Sequence, residues 1–288
     1  MERTLEECVE AARSGNMNAL EVVVTSIQDR IYGIAMRMLA HPQDAQDATQ
    51  EILVKIVTNL NTFRQEGPFI TWASRIAVNY LLTTRQRRSE RHALSFEQVA
   101  EQLEAGMVSS EQTRFNGVDQ RLLVEEVKIG CTQGMLLCLD RDHRVAYILG
   151  EIFEVSSREG AAILETTPAA FRQRLARARK VLRTFLHQTC GIINPANSCR
   201  CSKQLGPSIN AKILHPDRLL FAGHPTRFSA SYPQERPREV QELETLDRVA
   251  ALYRSHPNYA APKTFVTAMK QLLTSDSFTV LHSKEEQA

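Results

Sequence analysis

The chain has 288 residues, 43% of them apolar, with 35 basic and 33 acidic side chains and a net charge of +2. That is the composition of a soluble globular chain with enough apolar material for roughly one to three packed domains, and no stretch approaches the roughly 18 apolar residues of a membrane span. With so small a net charge, affinity for phosphate must come from local clusters.

The chain opens Met1-Glu2-Arg3-Thr4-Leu5-Glu6-Glu7, too acidic and too poor in apolar residues for a signal peptide, so a cytoplasmic protein is expected. From Leu5 to Leu39 apolar residues recur at helical spacing, interrupted at Ser14-Gly15-Asn16, which predicts a short helix, a turn and a long helix. His41-Pro42 ends the long helix, and Gln43 to Leu60 begins another with Ala45, Ala48, Ile52, Ile56 and Leu60 on its apolar side. Asp44, Asp47, Gln50 and Glu51 fall on the opposite side, as a solvated face or as a docking face for a basic protein. Asn61 to Phe69, with Gly67-Pro68, reads as a loop, and Ile70 to Arg88 as a helix that buries Trp72 and Ile76. Residues 92–117 lack a clear period and read as a linker with some helical content. Helices are then expected near Val118 to Leu139, Arg141 to Phe153, Ser157 to Leu164 and Pro168 to Leu186. The last two are separated by Glu165-Thr166-Thr167, the spacing of a helix-turn-helix. Neither internal repeats nor a strand-rich segment is present, so the fold class is all-α.

Two constellations carry chemistry. Between Arg158 and Arg183 there are seven basic residues and two acidic ones, most of the basic ones on the second helix of the helix-turn-helix. Small residues at Ala169 and Ala170 allow close approach to a major groove. Arg172, Gln173, Arg174 and Arg177 have the donor geometry to read base edges, and Thr166 or Thr167 could hold a phosphate at the helix start. The competing reading is a solvated helix packed through Phe171, Leu175 and Leu182. In the first block, Phe63, Arg64, Phe69, Thr71, Trp72, Arg75 and Asn79, followed by Arg85, Arg87 and Arg88, interleave aromatics with donors, which suits an unstacked single strand. The alternative is that the aromatics are core and the arginines merely solvated; for Trp72 burial is expected.

The runs DAQDATQE (Asp44 to Glu51) and FRQEGPFITWASRIAVNYLLTTRQRR (Phe63 to Arg88) resemble region 2 of the extracytoplasmic-function class of sigma-70 family RNA polymerase sigma factors. The run from Cys138 to Leu186 resembles their region 4, in the family's order and at its usual separation. The resemblance implies that Asp47, Gln50 and Glu51, beside Asp44, engage the clamp helices of the polymerase largest subunit. It implies that the loop 61–69 captures a flipped base of the minus-10 element, that Arg75, Asn79 and the Arg85 to Arg88 cluster contact DNA, and that Arg172, Gln173 and Arg174 read the minus-35 element. Three departures stand out: Glu165 where a turn glycine is common, Glu159-Gly160-Ala161 where Glu-Ile-Ala is usual, and Cys138-Leu139-Asp140 where Leu-Pro is frequent. Gly160 is expected to weaken its helix by up to about 1 kcal/mol.

Such factors commonly stop near the end of region 4, so about 100 residues here are additional. Of six cysteines, three lie between Cys190 and Cys201, more like core thiols with a metal site than a disulfide framework. His187, Cys190, Cys199 and Cys201 suffice for tetrahedral zinc, with copper or a redox thiol switch as variants; the plain alternative is a Pro-Asn turn with packed thiols. Cys-rich tails in this class resemble built-in regulatory domains. Gly206 to Pro237 is Pro-rich, and Val240 to Leu273 is a final amphipathic stretch, expected as a capping helical hairpin.

The expected organisation is therefore region 2 over 1–91, a linker over 92–117, region 4 over 118–187 and an extension over 188–288. The expected partners are core RNA polymerase, promoter DNA, and either an anti-sigma factor or the extension itself as regulator, with no membrane. No cofactor is required, zinc being confined to the extension, and no enzyme is expected, since nucleophile triads, phosphate loops and paired catalytic carboxylates are missing. The alternative is a stand-alone helix-turn-helix regulator with a C-terminal metal or redox sensor. A metalloenzyme fused to a DNA-binding module is weakened by the lack of an open site rich in histidine or carboxylate.

Overall fold

The computed structural model describes residues 4–84, 94–108, 120–223, 248–262, 264–267 and 271. Among these residues the regular structure is helical, and the one β pairing is an isolated parallel bridge between Cys190 and Cys199.

Helix α1 (Leu5–Arg13) starts in a capping box: Glu7 N–H donates to Thr4 Oγ1 at 3.2 Å and Thr4 N–H to Glu7 Oε2 at 2.8 Å. Gly15, at φ +90°, makes the turn, and the Asn16 side chain accepts from Ala19 N–H at 3.0 Å to start α2 (Met17–Leu39). The break expected at Ser14-Gly15-Asn16 is therefore where the chain turns. Val23, Ile27, Ile31, Ile34 and Met38 are buried along α2, and α1, α3 (Pro42–Thr58) and α4 (Phe69–Thr83) all pack on it. Pro42 opens α3 because its fixed φ suits the first turn and its missing N–H would have had no helical partner. The loop expected over 61–69 is shortened at both ends by a 3-10 turn, Leu60–Thr62, and by α4 starting at Phe69. The expected end of α4 at Arg88 lies outside the described residues; its assigned end is Thr83.

The linker contains a helix, α5 (Phe96–Val108), held by Phe96 against Phe185 with ring centroids 5.0 Å apart. Helices α6 (Gln120–Cys138), α7 (Arg141–Tyr147), α8 (Ser157–Ile163) and α9 (Pro168–Thr189) follow in the expected order. Asp140, Ser156 and Thr167 cap α7, α8 and α9 by accepting from His143, Glu159 and Ala170 N–H at 2.9, 3.1 and 3.1 Å. The helix expected to run unbroken to Phe153 instead widens into a π turn at Ile148–Ile152. A π turn displaces main-chain carbonyls from their usual partners, and that of Glu151 accepts from Arg254 Nε at 2.7 Å.

Gly160 has a packing role that its helix propensity does not show. A Cβ at this position would overlap the buried Phe171 ring, so glycine lets α8 close onto α9.

The extension folds back over the helices. The 3-10 turn Cys201–Gln204 and α10 (Leu205–Asn210) pack on α6. The backbone N–H groups of Leu220, Phe221 and Ala222 converge on the buried Glu126 carboxylate at 2.6 to 3.2 Å. Residues 240–247 and most of those after 267 lie outside the described set. Where a hairpin was expected, a short helix at 248–254 leads into an extended segment, 257–262, that lies across the two halves. Helical hydrophobic periodicity did not show that Pro257 and Pro262 leave this segment extended. One buried apolar cluster extends from Cys8 to Phe265, with residues from all but the linker among its fully buried members.

Candidate nucleic-acid and polymerase interface

The acidic side of α3 is open. Asp47, Gln50 and Glu51 are exposed and Asp44 is half-buried. Gln43 Nε2 donates to Asp47 Oδ1 at 3.0 Å and the Tyr80 hydroxyl to Glu51 Oε2 at 2.6 Å, which orient two of the carboxylates. A shallow groove beside Glu51 is lined by Lys55, Ile76, Asn79, Tyr80 and Thr83.

The aromatics of the first block divide. Phe63 and Phe69 are 4% and 0% exposed, with ring centroids 5.3 Å apart and each 5.5 Å from that of the half-buried Trp72. This corrects the expectation that both phenylalanines offer a ring to a base: their rings are spent on closing the end of the helical bundle. Phe63 also lines a cavity of about 410 Å³, with Thr62, Arg64, Thr71, Trp72, Arg75 and Ala162. Arg64 is exposed at its mouth. Arg85, Arg87 and Arg88 lie outside the described residues.

Thr71, Arg75 and Asn79 share one side of α4, being four residues apart, and that side meets the helix-turn-helix. Thr71 Oγ1 donates to Glu159 Oε1 at 3.3 Å and Asn79 Nδ2 to Glu165 Oε2 at 2.9 Å, while Arg75 Nη1 lies 3.8 Å from Glu165 Oε1. Arg30, on α2, adds an ion pair to Glu159 at 4.0 Å; burial lowers its pKa and Glu159 opposes that shift. Nothing in the local periodicity linked Glu159 and Glu165 to α4, since they lie 88 and 86 residues from Thr71 and Asn79.

On α9 the outward face carries Ala169, Arg172, Gln173 and Arg177, all exposed, with Ala170 half-buried. Phe171, Leu175 and Leu182 are buried beneath, so the same helix both packs and presents. Arg174 is half-buried and sits 3.7 Å from Asp142. The Thr167 hydroxyl oxygen is occupied as the helix cap, accepting from Ala170 N–H.

In the extension the His187 side chain is exposed, and its carbonyl accepts from Asn194 and Asn197 at 3.1 and 3.0 Å. Cys190, Cys199 and Cys201 are half-buried, and all six thiols are free. Burial pushes the Cys201 thiol up to about 11, with Cys190 and Cys199 adding to it; Cys131, on α6, is raised further by burial and by the same three sulfurs. Among the described residues no set of three or more His, Cys, Asp or Glu side chains stands in a metal-holding arrangement. Sequence spacing pointed to His187 and missed Cys131, which tertiary packing brings towards the other thiols.

One helical unit thus carries a donor-lined groove and an acidic flank, and the other an exposed basic helix that follows a tight turn. Residues 23–91 match the family model described as sigma-70 region 2. The chain is similar to the ECF RNA polymerase sigma factor SigW of Bacillus subtilis, 26% identical over 65% of this chain and 98% of that protein. It is also similar to the RNA polymerase sigma-H factor of Pseudomonas aeruginosa, 28% identical over 62% of this chain and 91% of the relative. The ECF RNA polymerase sigma-E factor of Escherichia coli is 29% identical over 60% of this chain and 90% of its own length. The match to sigma-70 region 2 and the likeness to ECF sigma factors over about two thirds of the chain support relating it to the promoter-directing sigma factors of RNA polymerase. About a third of the chain extends beyond the match to SigW. Among the described residues no helix is long and apolar enough to cross a membrane.

Proposed function

We propose that this sigma factor binds core RNA polymerase through Asp44, Asp47, Gln50 and Glu51 on α3 and reads a minus-35 duplex through Arg172, Gln173 and Arg177 on α9. It opens and holds the minus-10 strand through Arg64, Thr71, Trp72, Arg75 and Asn79. The observation that carries this reading is the division of labour between two faces. The α9 face is basic, exposed and built on a buried apolar stripe, as duplex readout requires, whereas the α4 face surrounds a cavity large enough to take a base. RNA synthesis itself belongs to the polymerase, so the chain acts where polymerase and DNA meet, in the cytoplasm. Regulation falls to an anti-sigma factor or to the extension. Zinc at His187, Cys190, Cys199 and Cys201 is proposed from their spacing alone, since the described side chains do not stand together as a ligand set and binding would have to draw them in; a zinc-to-protein ratio near one that falls in C199S and C201S would support it.

Run-off transcription with purified core polymerase on pooled genomic promoter fragments tests the function. Specific new transcripts are expected, and their loss in a D47K/E51K variant that still melts normally would place the polymerase contact on α3. Duplex binding without transcripts or co-elution with core would instead support a stand-alone regulator.

A further inference from the structure

Two carboxylates of the acidic face are held by neutral donors. Glu51 Oε2 accepts from the Tyr80 hydroxyl at 2.6 Å, across the 29 residues that separate α3 from α4 at this point, and Asp47 Oδ1 accepts from Gln43 Nε2 at 3.0 Å within one turn of α3. Lys55 follows Glu51 by four residues, the order and spacing that favour an ion pair along a helix. Among the described residues, however, neither Asp47 nor Glu51 enters an ion pair, and Lys55 stays exposed.

The choice of donor has a physical consequence. A cation beside Glu51 would orient its carboxylate and offset its charge together. A phenol orients it and leaves the charge whole, and the short O–H···O separation is that of a hydrogen bond to an ionised carboxylate. Tyr80 is suited to the task because its half-buried ring packs against the main apolar cluster and α4 itself packs on both α2 and α3, so the hydroxyl is presented from a fixed base. An exposed glutamate on a helix otherwise samples several rotamers, and a partner that binds it must freeze them at a cost in free energy. Here one oxygen is already held, while Glu51 Oε1 accepts no hydrogen bond among the described residues.

We propose that Tyr80 is a positioning residue for polymerase docking: its hydroxyl holds the Glu51 carboxylate, still fully charged, ready for a cationic side chain of the partner, and Gln43 does the same for Asp47. The proposal rests on the assignment of the α3 face to polymerase. Because the Tyr80 hydroxyl carries no charge, its removal weakens docking without changing how steeply salt weakens it. Removal of Glu51 weakens docking and makes it less sensitive to salt.

The test measures the affinity of the full chain, labelled at its N-terminus, for purified core polymerase by fluorescence anisotropy over a series of salt concentrations. Y80F keeps the ring and is expected to melt with the wild type and to bind core about two- to tenfold more weakly, with the same slope of log affinity against log salt. E51A is expected to weaken binding and flatten that slope, and Y80F/E51A to bind no more weakly than E51A, since the hydroxyl then has nothing to hold. The cycle of Q43A and D47A, built on exposed positions of α3, is expected to behave in the same way and covers the case in which Y80F does not fold. Equal affinity of the wild type and the folded Y80F and Q43A variants overturns the positioning role, as does a loss that persists undiminished once the carboxylate is gone. A loss at one pair alone upholds the role there and overturns it at the other. Unchanged affinity in both E51A and D47A instead overturns the docking reading of α3 itself.

Discussion

The Arg144 guanidinium, on α7, donates to the main-chain carbonyl of Met38 at the end of α2, 2.6 Å away and 106 residues earlier in the chain. It also donates to the carbonyls of Leu136, Leu137 and Leu139 at 2.9 to 3.1 Å, so one buried cation satisfies groups at the C-terminal ends of two helices. Helix ends carry partial negative charge and carbonyls without helical partners, which is why an arginine is stable in this position. Arg144→Met would leave those carbonyls buried and unsatisfied, at a cost of about 3 kcal/mol. Urea denaturation should show that loss in the midpoint with little change in slope.

At Gly160 two effects oppose each other. Alanine would gain up to about 1 kcal/mol in helix propensity, but its Cβ would push into the Phe171 ring, and overpacking typically costs 1 to 3 kcal/mol, roughly twice as much. Gly160→Ala should therefore lower the melting temperature. An increase would mean that α8 and α9 can separate slightly without penalty.

His256 makes the turn into the extended segment 257–262 sensitive to acid. Its Nε2 lies 2.8 Å from Thr132 Oγ1, its ring is 5.6 Å from that of Tyr253, and burial, followed by the charges of Arg37 and Lys128, holds its pKa well below the ordinary value. With the folded pKa depressed below the unfolded value of about 6.5, the unfolded chain binds the extra proton, so the contribution is complete above about pH 6.5 and is lost as the pH falls towards the folded value. Melting between pH 8 and pH 5 should show stability falling on the acid side by up to about 1.4 kcal/mol per unit from this group, and His256→Gln should flatten that part of the profile.

The thiols of the metal-free protein should react slowly. Burial raises both Cys138 and Cys201 to about 11, which leaves little thiolate at neutral pH. Iodoacetamide labelling at pH 8 followed by peptide mass spectrometry should find each on the order of a hundredfold slower than an ordinary cysteine of pKa near 8.5. Rapid labelling of Cys201 in folded protein would show that the turn after Cys199 opens.

The two halves of this protein were legible along the chain because their signals are local. The alternation that buries Ile52 and Ile56 beneath Asp47 and Glu51, and the Thr167-Pro168 start of a helix with Phe171 inward and Arg172 outward, follow from side-chain period and capping chemistry within a few residues. The burial of Phe63 and Phe69 was harder to see, because an aromatic beside a loop has the same local pattern whether it faces solvent or closes a core. The contacts of Glu165 with Asn79 and of Tyr259 with Arg37 and Gln133, and the electrostatic influence of the extension thiols on Cys131, had no sequence signature. Hydrophobic periodicity specifies which face of each helix is buried but not which other helix covers it. That choice depends on shape and on polar partners far apart in the chain, and only the tertiary structure decided it.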